Sequence, residues 1–242
     1  MGLTNTGSPP IPELSIGGSR PSRLHRSAFG LQVQKCSAGS KVYVANDVRS
    51  QFLEHLLDLT AKVRVGDPRA TDIYMGPVID GRAVDRFESA VAAASSEGGV
   101  LFGGTRPRGG VFDRGPYVAP TIVAGLPRDH WINRDELFLP LLSVLAFDDL
   151  AEAIADGNRV AYGLTAGIYS TDERELNTFF DHAEAGVLYA NRASGATTGA
   201  WPGIQTFAGW KGSGGASGKG GLGPYYLQQF MREQSHTIMR KG

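Results

Sequence analysis

The stretch Phe29-Gly30-Leu31-Gln32-Val33-Gln34-Lys35-Cys36-Ser37-Ala38 holds the single Cys of the chain and runs directly into Lys41-Val42-Tyr43-Val44 and Asn46-Asp47. Lys41 to Val44 reads as a short strand, and Asn46 or Asp47 can cap a following helix whose Phe52, Leu53, Leu56, Leu57 and Leu59 fall mostly on one face. Strand-like and helix-like stretches then alternate along the chain. A second helix is predicted from about Asp80 to Ser96, with Val84, Phe87, Val91 and Ala94 at helical spacing and Gly98-Gly99 ending it. Strands are predicted at Val100 to Phe102, Tyr117-Val118, Thr121 to Val123 and Leu141 to Phe147. A helix near Asp149 to Asn158, a strand at Thr165 to Tyr169, a helix from Asp172 to Ala183 and a strand at Val187 to Ala190 follow. Strands separated by helices of this length argue for right-handed crossovers and an α/β fold with a mainly parallel sheet.

Outside this pattern lie two segments of different character. Residues 1–26 are dominated by Gly, Pro, Ser and Arg, show no period of 2 or 3.6, and read as a flexible arm. Met1-Gly2 with Thr6 fits only a loose acylation pattern, and Arg20, Arg23 and Arg26 could suggest a transit segment; a solvated tail is the simpler reading. At the other end, residues 199–223 hold ten Gly in 25 positions, followed by an amphipathic segment from Pro224 to Glu233 and a polar, strand-like tail, Gln234 to Met239.

Composition narrows the function classes. The chain has 242 residues, enough to bury about three-quarters of its unfolded surface. One Cys excludes a disulfide framework and a Cys-rich zinc site. Lys+Arg 24 against Asp+Glu 24 leaves no electrostatic footprint for nucleic acid or an anionic membrane. No apolar run is long enough to span a bilayer, and no basic start joins an apolar segment as in a secretory signal. A cytoplasmic setting is therefore expected. His25, His55, His130, His182 and His236 are scattered without metal-ligand spacing, so no metal is expected.

Two candidate sites remain. Gly212-Ser213-Gly214-Gly215-Ala216-Ser217-Gly218-Lys219-Gly220 invites a phosphate-loop reading, but Ser213 and Gly220 stand where the motif needs Gly and Ser or Thr. The dinucleotide fingerprint fails as well, because Ser217 stands at its third Gly. This loop is better read as chain that turns sharply or approaches another backbone closely. Cys36 is the second candidate. A lone Cys is usually a small buried hydrophobe, yet Gln34, Lys35 and Ser37 surround this one with polarity, and a neighbouring cation favours the thiolate.

The Phe29 to Ala38 stretch resembles the nucleophile motif of the aldehyde dehydrogenase superfamily, most closely its pyrroline-carboxylate branch. Further segments resemble the family in the same order: Met75-Gly76-Pro77-Val78-Ile79, Gly115 to Ile122 with its Pro120-Thr121, Asp135-Glu136-Leu137-Phe138-Leu139-Pro140, Tyr162-Gly163-Leu164-Thr165-Ala166-Gly167, and Thr206 to Gly214. The resemblance implies the three-layer catalytic domain of that family over residues 27–223, a C-terminal oligomerisation segment over 224–242 that extends a neighbouring subunit's sheet, and an arm over 1–26 without family resemblance. It also implies that Cys36 attacks an aldehyde carbonyl, that Glu136 and Phe138 bind NAD or NADP at the ribose and ring of its nicotinamide end, and that Ser37, Gly195 and Ala196 hold the carboxylate of a substrate such as glutamate semialdehyde.

Departures from the pattern accompany it. Val33 replaces a Gly close to the nucleophile, Leu139 replaces the Gly of the cofactor motif, Thr206 and Ala208 alter the later motif, and about four extra residues lie around Ala200 to Gly203. The family's dinucleotide-binding domain, with its general-base Glu and oxyanion-stabilising Asn, is expected to be missing, since the only acid before Cys36 is Glu13 in an unrelated context. The expectation is an NAD(P)-dependent aldehyde dehydrogenase half that is impaired or inactive alone. Two alternatives stand beside it: a non-catalytic truncated paralogue acting through contacts with itself or a full-length relative, and a thiol esterase that needs no cofactor.

Overall fold

The computed structural model describes residues 2–4, 27–192, 209–214 and 227–240. Seven strands form one sheet in the order β3-β4-β5-β2-β1-β7-β8, where β1 is Gly2–Thr4, β2 Lys41–Ala45, β3 Val100–Phe102, β4 Thr121–Ala124, β5 Leu141–Phe147, β7 Thr165–Tyr169 and β8 Val187–Ala190. All neighbours are parallel except β3 and β4. A separate two-stranded antiparallel ladder joins β6, Tyr162–Gly163, to β9, Trp210–Lys211. The parallel α/β sheet predicted from the alternating pattern is present.

Alternation along β2 fixes the layers. Every residue of β2 is buried, which requires cover on both faces. Val42 and Val44 pack with Ile122, Leu142, Val144 and the Phe52 and Leu56 of helix α1, Asn46–Ala61. Tyr43 and Ala45 point the other way, into Leu145, Phe147, Ile154, Ile168 and Phe179 beneath α4, Leu150–Asn158, and α5, Glu173–His182. Helix α2, Gly81–Ser96, extends that second layer, with Val84, Phe87, Ala90 and Ala94 against Val123 and Leu141. A short helix, α3 at Trp131–Arg134, precedes β5. The result is the three-layer arrangement expected.

Helix starts follow side-chain caps. Asp80, Asp149 and Asp172 each accept a backbone N–H of the first turn, from Ala83 (2.9 Å), Glu152 (2.9 Å) and Arg174 (2.7 Å). The predicted cap of α1 is different: Ala45 occupies the cap position, and the Asn46 side chain donates instead to Asp148 Oδ1 (2.8 Å).

Two expectations are corrected. Tyr117-Val118 is not a strand. Pro116 and Pro120 bracket it and cannot donate to a ladder, while Tyr117 N–H turns back to Gly115 O and Ala119 N–H donates to Thr105 O. Gly2–Thr4, read as part of a flexible arm, is an interior strand between β2 and β7, in register Leu3 with Tyr43 and Ile168. Three residues are too few to show a period. The tail, Gln234 to Met239, whose expected partner is a neighbouring subunit's sheet, is exposed and has no ladder partner among the described residues.

Candidate active site

Cys36 sits in the loop that enters β2. It is exposed, and the turn around it closes through Ala38 N–H donating to Lys35 O (3.0 Å) and Gly39 N–H to Ser27 O (3.1 Å). Ahead of it, Leu31, Gln32 and Val33 all take left-handed backbone, with φ of 55°, 56° and 58°. A β-branched residue in that region is an outlier that surrounding contacts must hold in place. Val33, which stands where the family pattern has Gly, is 4% exposed and so is locked by packing. Gln32 adds a second anchor: with its amide oriented to suit both neighbours, it accepts from Gly76 N–H (2.7 Å) and donates to Leu31 O (3.1 Å). The Met75-Gly76-Pro77 motif is thereby tied to the turn that leads to Cys36.

A pocket of about 290 Å³ opens beside the thiol. Its lining comes from chain that precedes strands: 33–41 before β2, 132–138 before β5, 160–166 before β7 and 184–185 before β8. The pocket therefore lies along the amino-terminal edge of the parallel sheet, where α4 ends. Arg134 donates to Asp156 O (3.1 Å) and the Lys211 ammonium to Asn158 O, so cations meet the last carbonyls of that helix. Lys211 also pairs with Glu184 (2.7 Å).

Cys36, Glu136 and Phe138 line this one pocket, although a hundred residues of chain lie between them. Glu136 is exposed and Phe138 is half-buried, with φ of 58°. Ser37 is 3% exposed and is not a lining residue. Gly195 and Ala196 lie outside the described residues. Two other motifs meet at the rim: Gly212 N–H donates to Ala161 O (3.0 Å), and Gly163 N–H to Ser213 Oγ (3.1 Å). A Cβ on Gly214 would stand 2.0 Å from the Gly209 carbonyl oxygen, which accounts for part of the loop's Gly excess by close backbone approach.

Behind the rim is a polar network that the sequence reading missed. Asp156, buried in α4, accepts from the Tyr43 hydroxyl (2.7 Å) and Arg134 (2.7 Å), with Arg128 at 3.5 Å. Burial alone raises the Asp156 carboxyl, but the bonds from Tyr43 and Arg134 outweigh it and hold the group below the ordinary carboxylate range. Burial, then the bond to Asp156, pushes the Tyr43 phenol above its usual range. Ser143 donates to Asn133 Oδ1 (2.5 Å), Asn133 donates to Pro127 O (2.8 Å), and Lys41 donates to Asn133 O (2.9 Å). The available signal was Lys41 itself, a charge opening an otherwise apolar strand.

The sequence profile of the aldehyde dehydrogenase family matches residues 21–236. The chain belongs to the aldehyde dehydrogenase family. Among family relatives, the 1-pyrroline-5-carboxylate dehydrogenase of Bacillus mycoides is 36% identical over 209 residues, 86% of this chain and 39% of that protein. The betaine aldehyde dehydrogenase of Brucella anthropi is 34% identical over 180 residues, 74% of this chain and 36% of that protein. A structure of 1-pyrroline-5-carboxylate dehydrogenase from Thermus with bound NAD superposes with a TM-score of 0.77 at 34% identity, over 87% of this chain and 39% of that one. The chain thus spans about two-fifths of the length of the family members it matches. Among the described residues no helix is long and apolar enough to cross a membrane.

Proposed function

We propose that the chain carries the nucleophile and the aldehyde pocket of an NAD(P)-dependent aldehyde oxidation. The observation that carries this reading is the convergence of Cys36, Glu136 and Phe138 on one pocket. Cys36 Sγ attacks the carbonyl carbon to give a thiohemiacetal, and after oxidation its thioester is hydrolysed to release a carboxylate, dividing one difficult reaction into easier steps. NAD or NADP, when bound, supplies the hydride acceptor. Glu136 would hold that cofactor as an exposed carboxylate in no ion pair among the described residues, able to accept from ribose hydroxyls, and Phe138 would offer an apolar edge beside it. The 34–36% identity to 1-pyrroline-5-carboxylate dehydrogenases supports glutamate semialdehyde as the substrate; of the residues expected to hold its carboxylate, Ser37 is buried outside the pocket lining, and Gly195 and Ala196 lie outside the described residues.

A second reading, contact with another copy or a longer relative, is supported by the exposed tail: Leu227, Phe230, Met231, Ile238 and Met239 are 70–88% exposed. Such a run is an association surface, and an unpaired segment of strand-like sequence can add to a neighbour's sheet.

The test is NAD(P)H formation from a panel of aldehydes including glutamate semialdehyde, with the chain and its Cys36→Ala variant. Turnover confined to the chain with Cys36 supports the reading; turnover that survives Cys36→Ala overturns it. Hydrolysis of p-nitrophenyl acetate by Cys36 without any NAD(P)H formation would favour the thiol esterase. Loss of an oligomer on deleting 234–242 would support the contact role.

A further inference from the structure

Lys41 is the first residue of β2, is 7% exposed, and lines the same pocket as Cys36. Its Nζ donates to the backbone carbonyl of Asn133 (2.9 Å), also a lining residue, and stands 6.0 Å from the centre of the Tyr43 ring. No carboxylate pairs with it among the described residues: Asp156, the buried acid of this region, is taken up by Tyr43, Arg134 and Arg128. Burial lowers the Lys41 amine to about 8; Asp156 opposes the shift, and Arg134 and Lys211 reinforce it. At neutral pH about a tenth of such an amine is unprotonated, against well under about a thousandth for an ordinary lysine. A desolvated lysine beside other cations is the setting in which amines condense with carbonyl compounds.

We propose that Lys41 is a second covalent aldehyde site, whose Nζ condenses reversibly with a small aldehyde in the Cys36 pocket. The ammonium gives up a proton to water, and the freed lone pair forms an N–C bond at the carbonyl carbon. The carbonyl oxygen is protonated and leaves as water. Aldehyde and ammonium become iminium and water, with no change of oxidation state. The iminium retains one N–H, which the Asn133 carbonyl continues to accept. Hydrolysis reverses the step and returns the aldehyde to the pocket, where Cys36 competes for it. This inference rests on the pocket being an aldehyde site.

The test uses propanal with cyanoborohydride, which reduces an iminium to a stable propylamine, and peptide mass mapping at short times. The chain has six lysines, at 35, 41, 62, 211, 219 and 241. Lys41 is expected to be propylated about tenfold or more faster than Lys62, whose side chain is 67% exposed. Labelling of Lys41 no faster than Lys62 overturns the proposal. Lys41→Arg should abolish that adduct and leave the other sites unchanged; if the variant does not fold, the map of the unaltered chain decides alone. Iodoacetamide labelling of Cys36 with and without propanal separates the two readings. Protected Cys36 with slow Lys41 overturns only the lysine site. Unprotected Cys36 with fast Lys41 keeps it and counts against the thiol chemistry, and failure of both overturns both.

Discussion

The rim and the floor of the pocket are built in opposite ways. At the rim, Cys36 and Glu136 are exposed, and the residues that aim them, Leu31 to Val33 and Phe138, hold left-handed backbone. At the floor, Lys41 and Asn133, with Tyr43 and Asp156 behind them, are buried, their backbone is regular where they lie in β2, α3 and α4, and their polar atoms are hydrogen-bonded to one another and to nearby carbonyls. Cys36 and Glu136 thus stand on loops positioned by a rigid scaffold, while the charges that set the local field are fixed in the core. Strain is concentrated at the rim and desolvation at the floor.

The floor should fail first and hardest. Asp156→Ala leaves the Tyr43 hydroxyl and Arg134 without their buried partner, and a loss of about 3–5 kcal/mol in urea unfolding is expected. A loss below about 1 kcal/mol would place this network with surface ion pairs and erase the contrast.

Lys41 sharpens it through pH. Its folded pKa, lowered to about 8, lies below the ordinary 10.5, so between those values the unfolded chain holds a proton that the folded chain has released. Stability therefore rises with pH across that window, by about 3 kcal/mol in all. Tyr43 has the opposite sign: its folded pKa is raised above 10.0, so above that pH the unfolded chain ionises first and stability falls. Urea midpoints from neutral to alkaline pH should pass through a maximum. Lys41→Met should remove the rise and Tyr43→Phe should make the fall shallower, the remainder coming from Tyr189, whose phenol burial pushes up to about 12.

At the rim the effects are smaller. Leu31 is 63% exposed at φ 55°, so Leu31→Gly gives up little burial and relieves the left-handed penalty, for a net gain of about 0.5–1 kcal/mol after the glycine's added chain entropy. A loss instead would mean that the turn is held by the Leu31 side chain. Cys36→Ala should change stability by less than about 0.5 kcal/mol, as expected for an exposed residue, while abolishing alkylation of the chain by iodoacetamide.

The frame of the molecule was legible because it is periodic. Val84, Phe87 and Ala94 declared α2, the helices read from Asp80, Asp149 and Asp172 start on those residues as caps, and the family motifs that carry Cys36, Glu136 and Phe138 line one pocket. What escaped has no local signature. Gly2–Thr4 is too short to alternate, and its place between β2 and β7 is set by the open hydrogen-bonding edges of those strands. Asp156 carries no local signal because Tyr43 and Arg134 reach it across 113 and 22 positions of sequence. Tyr117-Val118 had strand composition, and the neighbouring prolines overrode it.

The position of β1 bears on how this protein should be handled. Because Gly2 pairs with Val42 and Gly167, and β1 runs parallel to both neighbours, any polypeptide attached ahead of Gly2 leaves the sheet on the same edge as Lys41 and Thr165. An affinity tag fused there begins its path beside the pocket mouth and competes for access to it. Removing the first four residues to clear such a tag would open a gap in the middle of the sheet, so purification handles belong at the other terminus.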